Sequence, residues 1–109
     1  MDKFSEQKKV QEAIEIRILK GEFGENGQLP TIKQIAEKYD VGNTTVIVAL
    51  KGLVEKGILS SRQGKGYFVV PFSKSVLVDK YKERLNDLLK EVHDLSDVLE
   101  MDIQIIINN

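Results

Sequence analysis

The sequence predicts a mainly α fold with a small β-hairpin. Three observations carry this. Apolar residues recur at helical spacing in three segments before residue 57. The pattern then shortens to two extended runs split by a glycine-bearing loop. Beyond residue 80, a heptad seam of apolar residues runs along what reads as one long helix.

The first helix is expected from about Ser5 to Lys20. Val10, Ala13, Ile14, Arg17 and Ile18 follow its period, with Arg17 contributing its aliphatic stem. Gly21 supplies the stop, and Glu22 to Leu29 reads as a loop broken by Gly24 and Gly27. The second helix begins at Thr31, which with Gln34 has capping-box spacing. Ile32, Ile35, Ala36 and Tyr39 form its apolar face, and it ends near Asp40. Val41-Gly42 makes a tight turn. Asn43 is the expected N-cap of a third helix running to about Lys56, with Val46, Ala49, Leu50, Leu53 and Val54 as its buried stripe. Gly57 stands at the left-handed position after it. Ile58 to Arg62 and Tyr67 to Val70 are the extended runs around the loop 63–66, and Pro71 closes the unit.

Helix, helix, tight turn, helix and hairpin, in that order, make a winged helix-turn-helix. In that layout the second helix of the helix-turn-helix pair enters the major groove of duplex DNA. After Pro71 a helix is expected from about Ser75 to Glu100. Its seam is Tyr81, Leu85, Leu88, Val92, Leu95 and Leu99, spaced 4-3-4-3-4. Asp102 caps a short last helix through Ile107. A tail this short cannot cover such a seam by folding back, so the seam asks for a partner helix. The expected domains are 1–71, a DNA-binding unit, and 72–109, a helical dimerisation tail.

Composition limits the alternatives. The 109 residues suit one small domain with an appendage, and neither apolar content of 41% nor charged content of 30% is unusual for a soluble protein. The absence of cysteine removes disulfides, thiolate zinc sites and cysteine nucleophiles. The charged N-terminal stretch lacks a signal-peptide core, and the apolar run 103–107 is too short to span a bilayer, so a cytoplasmic location without membrane contact is expected. Residues 1–70 carry 11 Lys/Arg against 9 Asp/Glu, a net of +2, and residues 71–109 carry 5 against 8, a net of −3.

The residues also resemble a known family. Leu29 to Ala36 (LPTIKQIA) resembles the L-P-S-x-R-x-L-A segment of GntR-type repressors. Val41 to Leu53 resembles that family's V-S-R-x-T-V-x-x-A-L-x-x-L helix, and Arg62 to Val69 its R-x-G-x-G-x-F-V wing. The likeness covers roughly residues 10–70 in order and spacing. With only 39 residues left after the wing, the chain looks like the short YtrA-type branch, in which two C-terminal helices make a homodimer. The resemblance implies a transcription regulator, expected to be a repressor acting on a two-fold symmetric operator. Family members usually have arginines that contact DNA where this chain has Lys33, Asn43 and Ile47.

The expected DNA-binding residues follow. Thr31, Lys33, Thr44, Thr45, Arg62 and Lys65 are candidates for phosphate, and Gln63 and Gly64 complete the wing tip with Gly66 beside them. Asn43 can pair bidentately with adenine, and Thr45 and Ile47 can touch a thymine methyl, whereas arginine there would favour guanine. The contacted positions are therefore expected to be richer in A·T than is usual for the family. No metal, cofactor or catalytic constellation is expected. His93 lies beside the seam without ligand partners, and the glycines lack a phosphate-loop pattern. A small-molecule effector stays open but has no evident pocket. The alternative function is a winged-helix interaction module with weak or lost DNA binding, prompted by the missing arginines and a pI of about 5.9.

Overall fold

A computed structural model describes residues 3–24 and 26–101, and the chain divides into two compact units, Met1–Leu77 and Val78–Asn109. The elements are α1 (Lys3–Leu19), α2 (Ile32–Tyr39), α3 (Asn43–Glu55), β1 (Leu59–Arg62), β2 (Gly66–Val69) and α4 (Ser73–Val98). The predicted mainly helical fold with one hairpin is thus the fold observed. The expected short helix from Asp102 to Ile107 lies outside the described residues.

Helix α1 buries Val10, Ile14 and Ile18, one residue per turn. It stops at Gly21, whose φ of 73° is left-handed. The Gly21 amide donates to the Ile18 carbonyl at 3.0 Å and the Glu22 amide to the Arg17 carbonyl at 3.1 Å, satisfying the last carbonyls of the helix. The Arg17 guanidinium then ties the following loop back. It donates to Glu22 at 2.8 Å and to the Tyr39 hydroxyl at 3.3 Å, and lies over the Phe23 ring at 4.8 Å. Burial alone would lower its pKa, but the hydrogen bonds to Glu22 and Tyr39 outweigh that and raise it.

Helix α2 starts one residue after Thr31, which is its N-cap. The Gln34 amide donates to Thr31 Oγ1 at 3.1 Å and the Thr31 amide to Gln34 Oε1 at 2.9 Å, so both arms of the capping box are made. Ile35 and Ala36 are buried. Asp40, at φ 53°, ends the helix in the left-handed region and donates its amide to the Ala36 carbonyl.

Helix α3 is the centre of the first unit, packing on α1, α2 and β1. Val46, Ala49, Leu50 and Leu53 are fully buried, the valine and the two leucines each contributing roughly 1.5–3 kcal/mol. Here one expectation is corrected. The N-cap is Gly42, with extended φ −74° and ψ 157°, and no side chain caps the helix. Asn43 is its first helical residue, because the left-handed Asp40 turns the chain early and leaves Gly42 in the extended conformation a cap requires. Gly57, at φ 76°, ends α3 as expected, with the Ile58 amide bonded to the Leu53 carbonyl at 2.9 Å.

β1 and β2 pair antiparallel, Leu59 opposite Val69 and Arg62 opposite Gly66. The segment expected to be plain loop after α1 departs from that reading. Gln28 bridges Phe68, the Leu29 amide donates to the Tyr67 carbonyl at 2.9 Å, and the Val69 amide to the Gly27 carbonyl at 2.8 Å. β2 is therefore bonded on both sides. Gly27 permits this: its φ is 63°, and a Cβ there would stand 3.0 Å from that of Val69. A single bridge has no alternation for a periodicity to reveal.

Helix α4 begins at Ser73, two residues earlier than expected. In the second unit Leu85, Leu88, Leu95 and Leu99 are exposed, while Tyr81 and Val92 are half-buried. Among the described residues no helix is long and apolar enough to cross a membrane.

Candidate nucleic-acid interface

The chemistry of the surface follows from which face of α3 the core claims. Thr45 and Val46 are buried, Thr45 at 8% exposure. Asn43 and Thr44 are exposed, Ile47 is half-buried, and Val48 and Lys51 are exposed. Thr45 is therefore a packing residue and not a reader of bases or phosphates, a correction of its expected role. Its place belongs to the stripe that continues through Ala49 and Leu53, four residues apart. Val48 and Lys51 take the outward stripe with Thr44. Neither Val48 nor Lys51 was among the expected contacts, although i+4 and i+7 spacing from Thr44 was the available signal.

The N-terminal end of α3 has no side-chain cap and no acidic residue in its first turn. Its leading amides remain available to an outside acceptor, which is what a phosphate requires. Lys33 of α2 and Asn43 of α3 line one shallow cleft, together with Glu37, Asp40 and Gly42. The two carboxylates there temper the positive potential of Lys33.

A second cleft brings Thr31, at the start of α2, next to Gly64, Lys65 and Gly66 at the wing tip. The Gln28 side chain donates to the Lys65 carbonyl at 2.9 Å and so holds the tip, a function sequence reading missed. The tip itself is a tight turn. The Lys65 amide bonds the Arg62 carbonyl at 3.0 Å, and Gly64 supplies the positive φ of 73° at the third position. Arg62 is exposed, its guanidinium 4.2 Å from the centre of the Phe68 ring. Gln63, Gly64 and Lys65 are all exposed.

The structure thus gathers the candidates into two groups that meet at α2: Lys33 and Asn43 on one side, Thr31 and the wing tip on the other. Thr44, Ile47, Val48 and Lys51 continue the first group along α3. Among the described residues no cluster of three or more His, Asp or Glu could hold a metal ion.

Comparison with known proteins bears on what this surface does. Residues 6–69 match the family model for bacterial regulatory proteins, gntR family. The HTH-type transcriptional repressor NanR of Klebsiella aerogenes is 33% identical over 80 residues, covering 73% of this chain and 31% of NanR. A GntR family transcriptional regulator from Listeria monocytogenes has the same fold, with a TM-score of 0.74 at 20% identity, covering 94% of this chain and 89% of that one. The structure of AraR(DBD) in complex with operator ORR3 matches with a TM-score of 0.56 and 31% identity, over 60% of this chain and 78% of that one. The chain spans between 14% and 34% of the length of these curated relatives.

Proposed function

The chain belongs to the gntR family of bacterial regulatory proteins, and from that premise we propose that it is a sequence-specific transcriptional repressor that binds a two-fold symmetric operator as a homodimer. The observation that carries DNA binding is the open N-terminal end of α3. No side chain caps it, its outward stripe is exposed, and a wing tip is held in place by Gln28 beyond the start of α2. AraR(DBD), similar over the winged unit, is seen on its operator, and NanR is a repressor; both support the same use here.

In this reading Asn43 reads adenine, Thr44 and Lys51 sit at the groove edge, and Thr31, Lys33, Arg62 and Lys65 meet phosphate or the minor groove. The winged unit takes residues 1–71 and the tail 72–109 brings two copies together. The exposed leucines of α4 support dimerisation, because such a stripe is costly to leave in water. The proposal includes the short, YtrA-type branch, on the resemblance of the winged unit followed by a helical tail.

Selection of bound fragments from a random duplex library, with purified protein at physiological salt, tests this. A two-fold symmetric motif with A·T at contacted positions is the expected result. Enrichment of no motif by folded, dimeric protein would instead support the protein-interaction module.

A further inference from the structure

The outward stripe of α3 contains an anomaly. Val48 is 41% exposed in the second turn of a helix whose other aliphatic residues are buried or half-buried. It lies one turn beyond Thr44, on the face that carries Asn43 and Thr44 at its start and Lys51 at its end. No arginine or lysine stands in the first two turns of this helix, so the hydrogen-bonding side chains exposed there are Asn43 and Thr44.

A valine has no donor and no acceptor, and it cannot read the hydrogen-bond pattern of a base edge. The apolar feature that a base pair offers in the major groove is the C5-methyl group of a pyrimidine. Valine in a helix is also stiff, holding one χ1 rotamer in about nine of ten cases, so its methyls are already placed and little entropy is lost on contact. Of the two residues expected to make this contact, Thr45 is buried and Ile47 is half-buried, whereas Val48 stands exposed.

We propose that Val48 recognises a pyrimidine C5-methyl group in the major groove. The inference rests on the DNA-binding reading above and specifies what the outward stripe of α3 reads. Two nucleotides present that methyl at the same place, thymine and 5-methylcytosine. The preference therefore extends to cytosine methylated at C5, a sensitivity that a recognition helix reading through arginine alone would not share.

The test uses the full-length dimer and the operator recovered by selection. Single thymines in one half-site are replaced by deoxyuridine, which removes only the methyl, and affinity is read by fluorescence anisotropy. Losing the burial of one methyl corresponds to about a fourfold loss of affinity. One position is expected to show that loss with the wild type and none with Val48→Ala, which trims a side chain outside the buried core. At the same position a 5-methylcytosine·G pair is expected to bind better than C·G by a similar factor, again only with Val48 present.

A wild type indifferent to every thymine-to-deoxyuridine change, on an operator it selects, overturns the inference while DNA binding stands. So does a Val48→Ala protein as sensitive to methyl removal as the wild type, or one whose defect is loss of the dimer. If no operator is enriched, the DNA-binding reading and the inference fall together.

Discussion

Asn43 occupies the first helical position of α3, and that single-residue shift from the cap decides what its amide is free to do. A capping Asn would lose about 1 kcal/mol of stability on replacement by alanine. With Gly42 as the cap, Asn43→Ala is expected to leave the thermal midpoint nearly unchanged while weakening operator binding about tenfold or more, the value of one bidentate base contact. Equal loss of stability and affinity would return Asn43 to a capping role. Thr31 is the converse case. Its two capping bonds predict that Thr31→Ala costs about 1 kcal/mol in denaturant unfolding, with Thr31→Ser largely restoring it. Gly52 shows a coupling invisible to residue propensity. A Cβ there meets Gln11 Nε2, which donates to the Ala49 carbonyl at 3.0 Å. Gly52→Ala is therefore expected to be close to neutral, its helix-propensity gain of about 1 kcal/mol offset by a lost hydrogen bond of similar size. In a Gln11→Ala background the same change is expected to stabilise by about 1 kcal/mol, and a double-mutant cycle measures the difference.

The elements depend on one another at the wing. β1 and β2 alone are two strands of four residues, too little to be stable in isolation. The third rung, residues 27–29, bonds β2 from its other side and carries Gln28, which holds the Lys65 carbonyl. Gly27 makes that approach possible. Gly27→Ala forces a left-handed alanine, costing about 1–2 kcal/mol, and presses its Cβ on Val69. Faster amide exchange at Leu29 and Val69, relative to the α1 and α3 core, is the expected signature of a loosened rung. Unchanged exchange at both amides would show that the rung accommodates the methyl. Helix α3 responds differently, since Leu50 is fully buried at its centre. Leu50→Ala is expected to cost about 2–5 kcal/mol and to unfold the unit as a whole.

For the whole molecule, charge and association are linked. The winged unit carries a net of only +2 over residues 1–70, so in the proposed complex one copy would make few phosphate contacts and bind weakly at physiological salt. In the proposed homodimer, two linked copies would compensate for that weakness. Leu88→Asp, on the exposed seam of α4, is expected to give a monomer by sedimentation, with the near-UV and far-UV signals of the winged unit retained. The same variant is expected to lose operator binding at physiological salt and to recover part of it at low salt. A variant that remains dimeric would remove the seam from the interface.

The sequence by itself determined the helices, their stops and the hairpin. These depend on neighbours in the chain: Val10, Ile14 and Ile18 repeat every fourth residue, Gly21 and Gly57 supply left-handed stops, and Thr31 and Gln34 satisfy each other within one turn. It also marked most of the candidate interface, because Asn43, Arg62 and Lys65 sit in motifs with local spacing. Only the tertiary structure decided which of Thr44, Thr45, Ile47 and Val48 faces outward. Burial against α1 and α2 selects the face. It likewise revealed the rung at Gln28, the Gln11–Gly52 coupling and the stacking of Arg62 on Phe68. Each joins residues distant in sequence or fixes a geometry that periodicity does not record, because side-chain contact depends on where the backbone has been carried.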